Sequence, residues 1–212
     1  MSQYMISPLQ YITTRPEQAD AACHAGANWI QLRLKNLAYA DWKAIALETL
    51  AVCRQYNATL ILNDNPKLAA DIGADGVHLG QEDMPVAEAR ALLGDRFIIG
   101  GTANTLETIL AHHRDGVNYV GLGPFRFTTT KEKLSPILGL DGYARILSAL
   151  PQRQISLPVI AIGGITLADV PALLATGVYG VAVSSAITGA SDPAAQTRLF
   201  LSQLTTSTSF FE

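Results

Sequence analysis

The sequence has few cysteines, no excess of basic residues and no long hydrophobic run. Its two cysteines, Cys23 and Cys53, have no Cys-x-x-Cys or histidine-rich context, so we expect reduced core thiols rather than redox or metal chemistry. A net charge of −3 leaves no general basic surface for nucleic acid or an anionic membrane. No stretch reaches the roughly 18 consecutive apolar residues of a membrane span, and Met1–Pro8 lacks the features of a signal peptide. These absences predict a cytoplasmic protein that binds neither nucleic acid nor a membrane.

What the sequence does contain is a regular alternation of short apolar runs and longer amphipathic segments. At 212 residues, 49% of them hydrophobic, the chain can bury one sizeable core, and one domain is expected. The apolar runs predict buried parallel strands at Leu9–Thr14, Trp29–Lys35, Thr59–Asp64, Gly76–Gly80, Phe97–Thr102, Tyr119–Pro124, Pro158–Gly163 and Gly180–Ser184. Apolar residues at three and four spacing predict helices at Glu17–Ala25, Tyr39–Tyr56, Pro66–Ile72, Pro85–Leu93, Leu106–Arg114, Leu140–Leu150, Leu167–Ala175 and Pro193–Leu204.

Eight successive strand–helix units favour an α/β fold, a single (β/α)8 TIM barrel over residues 1–204. An open α/β sheet is the alternative. The barrel is favoured because polar residues follow almost every predicted strand, and a barrel would bring them all to one C-terminal mouth. Residues 205–212 are rich in Ser and Thr, and we expect them to form a flexible C-terminal tail.

Three polar residues alternate with apolar ones near the end of the second predicted strand. Gln31, Arg33 and Lys35 would point to one face, into the barrel mouth, if the stretch stays extended. Arg33 offers a bidentate fork and Lys35 a point charge, a combination that fits a diphosphate. A solvated strand end with internal ion pairs is the alternative.

Two aspartates follow neighbouring strands. Asp64 ends the third predicted strand and Asp83 lies just beyond the fourth, so a barrel would bring the two carboxylates together. Mg²⁺ typically takes one or two protein carboxylates and completes its shell with water and phosphate oxygens. Each aspartate could instead cap the helix that follows it. Asn63 could serve a turn or act as a phosphate donor.

The sixth predicted strand opens a long polar loop that runs to about Gly139. Thr128, Thr130 and Lys131 could bind phosphate there, and the loop could close over a reactive intermediate to exclude water. A plain exposed loop is the alternative. His78 lies within a strand, and we expect a hydrogen-bonded structural histidine below the mouth.

A second phosphate site is indicated after the last two strands. Gly163-Gly164 and Ser184-Ser185 lie where many barrels bind a monophosphate through backbone N–H groups. The alternative is that the glycines serve only a tight strand-to-helix turn.

These segments together resemble the thiamine-phosphate synthase (thiamine-phosphate pyrophosphorylase) family over nearly the whole chain. The resemblance rests on motifs in family order and spacing: Gln31–Lys35, Asn63–Asp64, Asp75–Asp83, Gly123–Lys131, Ile162–Ile165 and Ser185–Ile187. The chain departs from the family after the fifth strand, where Thr102 and Asn104 replace the usual Ser and His.

The resemblance implies a transferase of thiamine biosynthesis that joins hydroxymethylpyrimidine diphosphate to hydroxyethylthiazole phosphate. It implies that Asp64 and Asp83 hold Mg²⁺ and that Gln31 meets the pyrimidine. The diphosphate would be bound by Arg33, Lys35, Asn63, Thr102 and Lys131. The thiazole's phosphate would be bound by Thr128, Thr130, Gly164 and the backbone of Ser184 and Ser185.

Three other functions remain open from the sequence. A related branch of the family is a thiazole tautomerase, but this chain has Pro124 where that branch has a histidine and keeps Arg33 and Lys131. A catalytically silent barrel that binds a phosphorylated ligand would have no need of two metal-binding aspartates. A Schiff-base aldolase would need a desolvated lysine, and the neighbouring cations indicate that Lys35 is an anion ligand instead. A homodimer is compatible with the exposed helix faces of a barrel.

Overall fold

Eight parallel strands close into a barrel in the computed structural model, which describes residues 6–127 and 135–208. The strands pair in sequence order, and β8 returns to β1. They are β1 Leu9–Thr13, β2 Trp29–Leu32, β3 Thr59–Asn63, β4 Gly76–Leu79, β5 Ile98–Ala103, β6 Tyr119–Leu122, β7 Val159–Ile162 and β8 Gly180–Val183. The predicted TIM barrel is therefore confirmed, and the open sheet is excluded.

Helices surround the barrel and connect successive strands. They are α1 Pro16–His24, α2 Tyr39–Gln55, α3 Pro66–Ile72, α4 Val86–Leu93, α5 Leu106–Arg114, α6 Gly139–Leu147, α7 Val170–Ala175, α8 Ser185–Thr188 and α9 Pro193–Thr208. Short 3-10 turns cover Pro151–Arg153 and Leu167–Asp169. None of the helices in the described ranges is both long and apolar enough to cross a membrane.

The structure differs from the predicted elements in two main respects, besides shifts of up to three residues at other strand and helix ends. The four-residue helix α8 was not predicted, because one turn is too short to show helical periodicity. The final helix continues to Thr208, four residues beyond its predicted end at Leu204. Residues 209–212 lie outside the described residues.

Side chains along each strand point alternately outward and inward, which gives two apolar clusters, one between the strands and the helices and one inside the barrel. Residues that point outward pack against the helices, among them Ile30, Leu32 and Leu34 of the second strand and its extension. Residues that point inward form a smaller cluster inside the barrel: Ile6, Ile12, Trp29, Ile61, Ile98, Tyr119, Ile160 and Ala182. This inner cluster fills the barrel below the mouth, so the side chains above it form the floor of any site.

Candidate active site

One cavity opens at the C-terminal ends of the strands. Every strand or the loop after it contributes to its wall: Ile12, Gln31, Arg33, Lys35, Asn63, Asp64, His78, Gly80, Thr102, Gly123, Pro124, Ser135, Ile162–Ile165 and Ala182–Ser185. The floor residues Gln31 and Asn63 are almost completely buried, whereas Lys35 at the rim is about half exposed. The predicted site residues that line this cavity are Gln31, Arg33, Lys35, Asn63, Asp64, Thr102, Gly164, Ser184 and Ser185.

The cationic side of the cavity comes from the chain that continues β2. The strand ladder ends at Leu32, yet the backbone N–H of Arg33 still donates to the carbonyl of Thr13 at 2.9 Å. Inward alternation therefore continues past the last paired residue, and Gln31, Arg33 and Lys35 all line the cavity. The Nζ of Lys35 lies 3.9 Å from Oδ2 of Asp64.

Asp64 and Asp83 are brought together as the sequence predicts. Asp64 has a left-handed backbone (φ 64°), a conformation that Asp adopts more readily than most residues, and its N–H donates to the His78 carbonyl. Asp83 accepts a 2.6 Å hydrogen bond from the backbone N–H of Gly80, and its side chain is in hydrogen-bonding contact with Asp64. Asp83 itself does not line the cavity but lies directly behind Asp64 and Gly80.

Neither aspartate acts as the helix cap that was the alternative explanation. The cap of α3 is Asn65, whose Oδ1 accepts from the N–H of Leu68 at 3.0 Å. The residue before α4 is Pro85, and no side chain caps that helix. Both carboxylates are therefore left for another role.

The surroundings of Asp64 disfavour its charged form. Burial and the adjacent Asp83 carboxyl group raise the pKa of Asp64 to about 7, and the positive charges of Lys35 and Arg33 oppose this effect only in part. Within the ranges that the structure describes, no third acidic, His or Cys side chain completes a metal cluster. Two carboxylates match the protein share of a Mg²⁺ shell, and a cation between them would offset their repulsion.

The predicted structural histidine is inside the barrel and is hydrogen-bonded. His78 is 6% exposed, with Nδ1 3.0 Å from the hydroxyl of Tyr119 and Nε2 2.9 Å from Oγ1 of Thr102. It also lines the cavity, which the sequence argument did not foresee. Its position in a strand beside the family motifs was the signal that could have shown this.

The departure from the family pattern at Asn104 has a structural role. The buried Nδ2 of Asn104 donates to the carbonyl of Gly123 at 2.9 Å and to the carbonyl of Pro136 at 2.8 Å. One amide group thus bonds both Gly123, at the start of the loop after β6, and Pro136, near its end. Thr128, Thr130 and Lys131, predicted to bind phosphate, lie outside the described residues.

The glycine pair after β7 is held against the loop after β6. Gly163 and Gly164 both have left-handed backbones, with φ of 99° and 66°. A methyl group on Gly163 would lie 2.7 Å from Cβ of Pro124. Arg126 fixes the arrangement by donating to the carbonyl of Gly164 and pairing with Asp169 at 2.7 Å. The turn thus needs these glycines for its conformation, and Gly164 lines the cavity beside Ser184 and Ser185.

Comparison with known proteins agrees with the fold and with the family resemblance. The family model described as thiamine monophosphate synthase matches residues 3–187. The thiamine-phosphate synthase of Bacteroides thetaiotaomicron is 52% identical over 199 residues, 91% of this chain and 95% of that protein. That of Flavobacterium johnsoniae is 52% identical over 190 residues, 87% of this chain and 90% of that protein.

A solved structure gives the same result in three dimensions. The thiamine phosphate pyrophosphorylase of Pyrococcus furiosus superposes with a TM-score of 0.83 at 31% identity, covering 93% of this chain and 95% of that one. The family resemblance predicted from the motifs is confirmed. The chain belongs to the thiamine monophosphate synthase family.

Proposed function

We propose that this protein is a thiamine-phosphate synthase that joins 4-amino-2-methyl-5-hydroxymethylpyrimidine diphosphate to hydroxyethylthiazole phosphate. The products are thiamine phosphate and diphosphate. The observation that carries the proposal is a cavity lined by Arg33, Lys35 and Asp64, with the Asp83 carboxyl group against Asp64 just behind the wall. That combination suits a Mg²⁺-bound diphosphate, and family membership makes the protein a transferase of thiamine biosynthesis.

Departure of the diphosphate is the step that needs most help. The C–O bond to the methylene group breaks, the diphosphate keeps the electron pair, and the aminopyrimidine ring delocalises the positive charge left on carbon. Arg33 and Lys35 line the cavity and are proposed to bind the leaving oxygens as their charge grows, with Asn63 and Thr102 as neutral donors. The thiazole nitrogen then forms the new C–N bond, and no proton has to be removed by a base.

Asp64 and Asp83 fit the role of magnesium ligands. Their carboxyl groups are in contact, and burial together with this contact raises the pKa of Asp64, so a bound cation would relieve the repulsion between the two groups. A bound Mg²⁺ would supply Lewis-acid stabilisation of the diphosphate charge. Asp83 is held by Gly80 and Asp64 by the backbone of His78, so both ligands are fixed by the barrel.

The opposite wall of the cavity is proposed to bind the thiazole's phosphate. Gly164, Ser184 and Ser185 line it at the ends of β7 and β8. Thr128 and Thr130 are proposed to complete this site and Lys131 the diphosphate site, as the family resemblance implies. The two phosphate sites then lie on either side of the reacting carbon.

Lys35 does not have the surroundings of a Schiff-base lysine. Its side chain is 49% exposed and its Nζ lies 3.9 Å from a carboxylate, whereas a Schiff-base lysine of the kind predicted would be desolvated. The cytoplasmic location and a homodimer stay predictions, and light scattering would check the second.

The proposal is tested by reconstitution. Purified protein is mixed with the pyrimidine diphosphate, the thiazole phosphate and Mg²⁺, and both products are followed by mass spectrometry, with each substrate omitted in turn. Formation of thiamine phosphate and diphosphate in equal amounts is expected. Binding of the thiazole phosphate without any coupling would contradict the proposal and favour the tautomerase or the silent barrel.

A further inference from the structure

A continuous chain of hydrogen bonds crosses the barrel beneath the cavity. Nε2 of Gln31 donates to Oε1 of Gln10 at 3.1 Å, and Nε2 of Gln10 donates to the hydroxyl of Tyr119 at 3.1 Å. Tyr119 contacts Nδ1 of His78 at 3.0 Å, and Nε2 of His78 contacts the hydroxyl of Thr102 at 2.9 Å. The first and last members line the cavity, whereas Gln10 and Tyr119 do not.

The inner residues of this hydrogen-bond chain are buried, and neighbouring glycines make room for its two rings. Gln10 is 1% exposed and Tyr119 is fully buried, in a position where unpaired polar groups would be costly. A side chain on Gly100 would collide with the ring and hydroxyl of Tyr119, and one on Gly121 would press against the ring of His78. The glycines of β5 and β6 therefore make room for the two rings.

The two amides give the chain a direction. The Tyr119 hydroxyl accepts from Gln10, so its own proton is available for Nδ1 of His78. With Nδ1 as the acceptor of that proton, the His78 proton is expected on Nε2, from which it would donate to Thr102. Burial raises the pKa of Tyr119, which keeps its proton in place. At the two ends of this hydrogen-bond chain, the Thr102 hydroxyl can still donate its proton to a ligand and Oε1 of Gln31 can still accept one.

We propose that Gln10 and Tyr119 are positioning residues that orient the Gln31 amide and the His78–Thr102 pair toward the substrate. The cavity floor then presents an acceptor at Gln31 Oε1 and a donor at the Thr102 hydroxyl. On the proposed function, the exocyclic amino group of the pyrimidine donates to Gln31 and a diphosphate oxygen accepts from Thr102. Gln10 and Tyr119 thereby select the aminopyrimidine substrate without touching it.

The direction of the chain is tested by the tautomer of His78. Nitrogen NMR of protein labelled in the histidine rings is recorded for the free enzyme, with the His78 signals assigned by their loss in His78→Asn. The proton is expected on Nε2, with Nδ1 unprotonated. A proton on Nδ1, alone or together with Nε2, would reverse or break the chain and overturn the proposal. This readout needs no turnover, so it stands apart from the proposed function.

The selective role is tested by kinetics on Tyr119→Phe and Gln10→Leu. Loss of one buried hydrogen bond from the chain is expected to raise KM for the pyrimidine diphosphate about tenfold. KM for the thiazole phosphate should stay within about twofold, because that substrate lies at the other wall. Tyr119→Phe should also leave His78 as a mixture of tautomers.

Tyr11→Phe is the matched control, since Tyr11 is equally buried but bonds Thr188 outside the barrel at 2.7 Å. It should leave both KM values unchanged. Equal changes in both KM values, or none, for Tyr119→Phe would overturn the positioning role. If the wild-type protein makes no product, the proposed function fails. In that case, calorimetry measures the affinity of the same variants for the pyrimidine diphosphate. A roughly tenfold weaker affinity in Tyr119→Phe and Gln10→Leu is expected, and an unchanged affinity would contradict the inference.

Discussion

Asp64 and Asp83 place their carboxyl groups in contact at the ends of neighbouring strands, and burial together with this contact raises the pKa of Asp64 to about 7. A carboxyl group whose pKa is raised by folding stabilises the folded state most when it is protonated. Its contribution is fully present below the ordinary value near 3.8 and is lost as the pH rises through 7. The metal-free protein therefore holds a destabilising charge at neutral pH.

Magnesium should stabilise the protein more at high pH than at low pH. Protons compete with the cation for Asp64, so the shift in melting temperature caused by Mg²⁺ should be larger at about pH 8 than at about pH 5.5, one value above 7 and one below it. Thermal unfolding with Mg²⁺ and with EDTA, recorded at each pH, measures the two shifts. Asp64→Asn should remove most of the difference, and equal shifts in wild type at both pH values would contradict the assignment.

Lys35→Ala should weaken binding of the diphosphate substrate. Removing one charged donor from a diphosphate is expected to cost about 1.5–3 kcal/mol, or roughly a 10- to 100-fold rise in KM. KM for the thiazole phosphate should change little. Lys43→Ala is the control, because Lys43 pairs with Asp71 on the surface. An unchanged KM in Lys35→Ala would remove this residue from the site.

Gly163→Ala should destabilise the protein more than Gly177→Ala. Their φ angles, 99° and 95°, are nearly the same, so both substitutions carry a similar conformational cost of about 1–2 kcal/mol. Only at Gly163 does the new methyl group meet a rigid neighbour, Cβ of Pro124, which should add about 1–3 kcal/mol. Urea unfolding measures both variants. Equal losses would show that the two loops move apart freely.

Asn104→Leu should destabilise the base of the loop. The substitution leaves the carbonyl of the buried Gly123 without its donor, whereas the carbonyl of the exposed Pro136 can bond water instead. Loss of the buried partner should lower the free energy of unfolding by about 1–3 kcal/mol. Asn28→Ala, at an exposed position, should have little effect. A neutral Asn104→Leu variant would mean that the two carbonyls find other donors.

The fold was predictable because local pattern and topology agree. Buried parallel strands are continuous apolar runs, and the helices between them show a clear period. The errors occur where that signal fails. The single turn at Ser185–Thr188 has no periodicity, and the strand at Trp29 was predicted too long because Gln31–Lys35 continue its alternation after pairing with the neighbouring strands has ended.

The site was predictable where polar residues follow strands, and unpredictable inside the barrel. Arg33, Lys35, Asp64 and Asp83 are marked by their place after apolar runs. Gln10 and Tyr119 are 109 positions apart, and each is one polar group within a strand, so nothing local shows that they are bonded. The role of Asn104 also depends on partners distant in sequence. Such pairings are properties of the closed barrel rather than of any segment.

The most direct test of the account is the Mg²⁺ dependence of turnover in wild type and Asp64→Asn, measured at saturating concentrations of both substrates. EDTA should abolish wild-type activity and Mg²⁺ should restore it. Asp64→Asn should lose about 100- to 1,000-fold in kcat, the cost of one lost electrostatic contribution to the leaving group, while its unfolding midpoint is retained. Asp71→Asn, at a surface ion pair, should keep full activity. Wild-type turnover in EDTA, or an active Asp64→Asn variant, would contradict the claim that this carboxylate pair holds the metal.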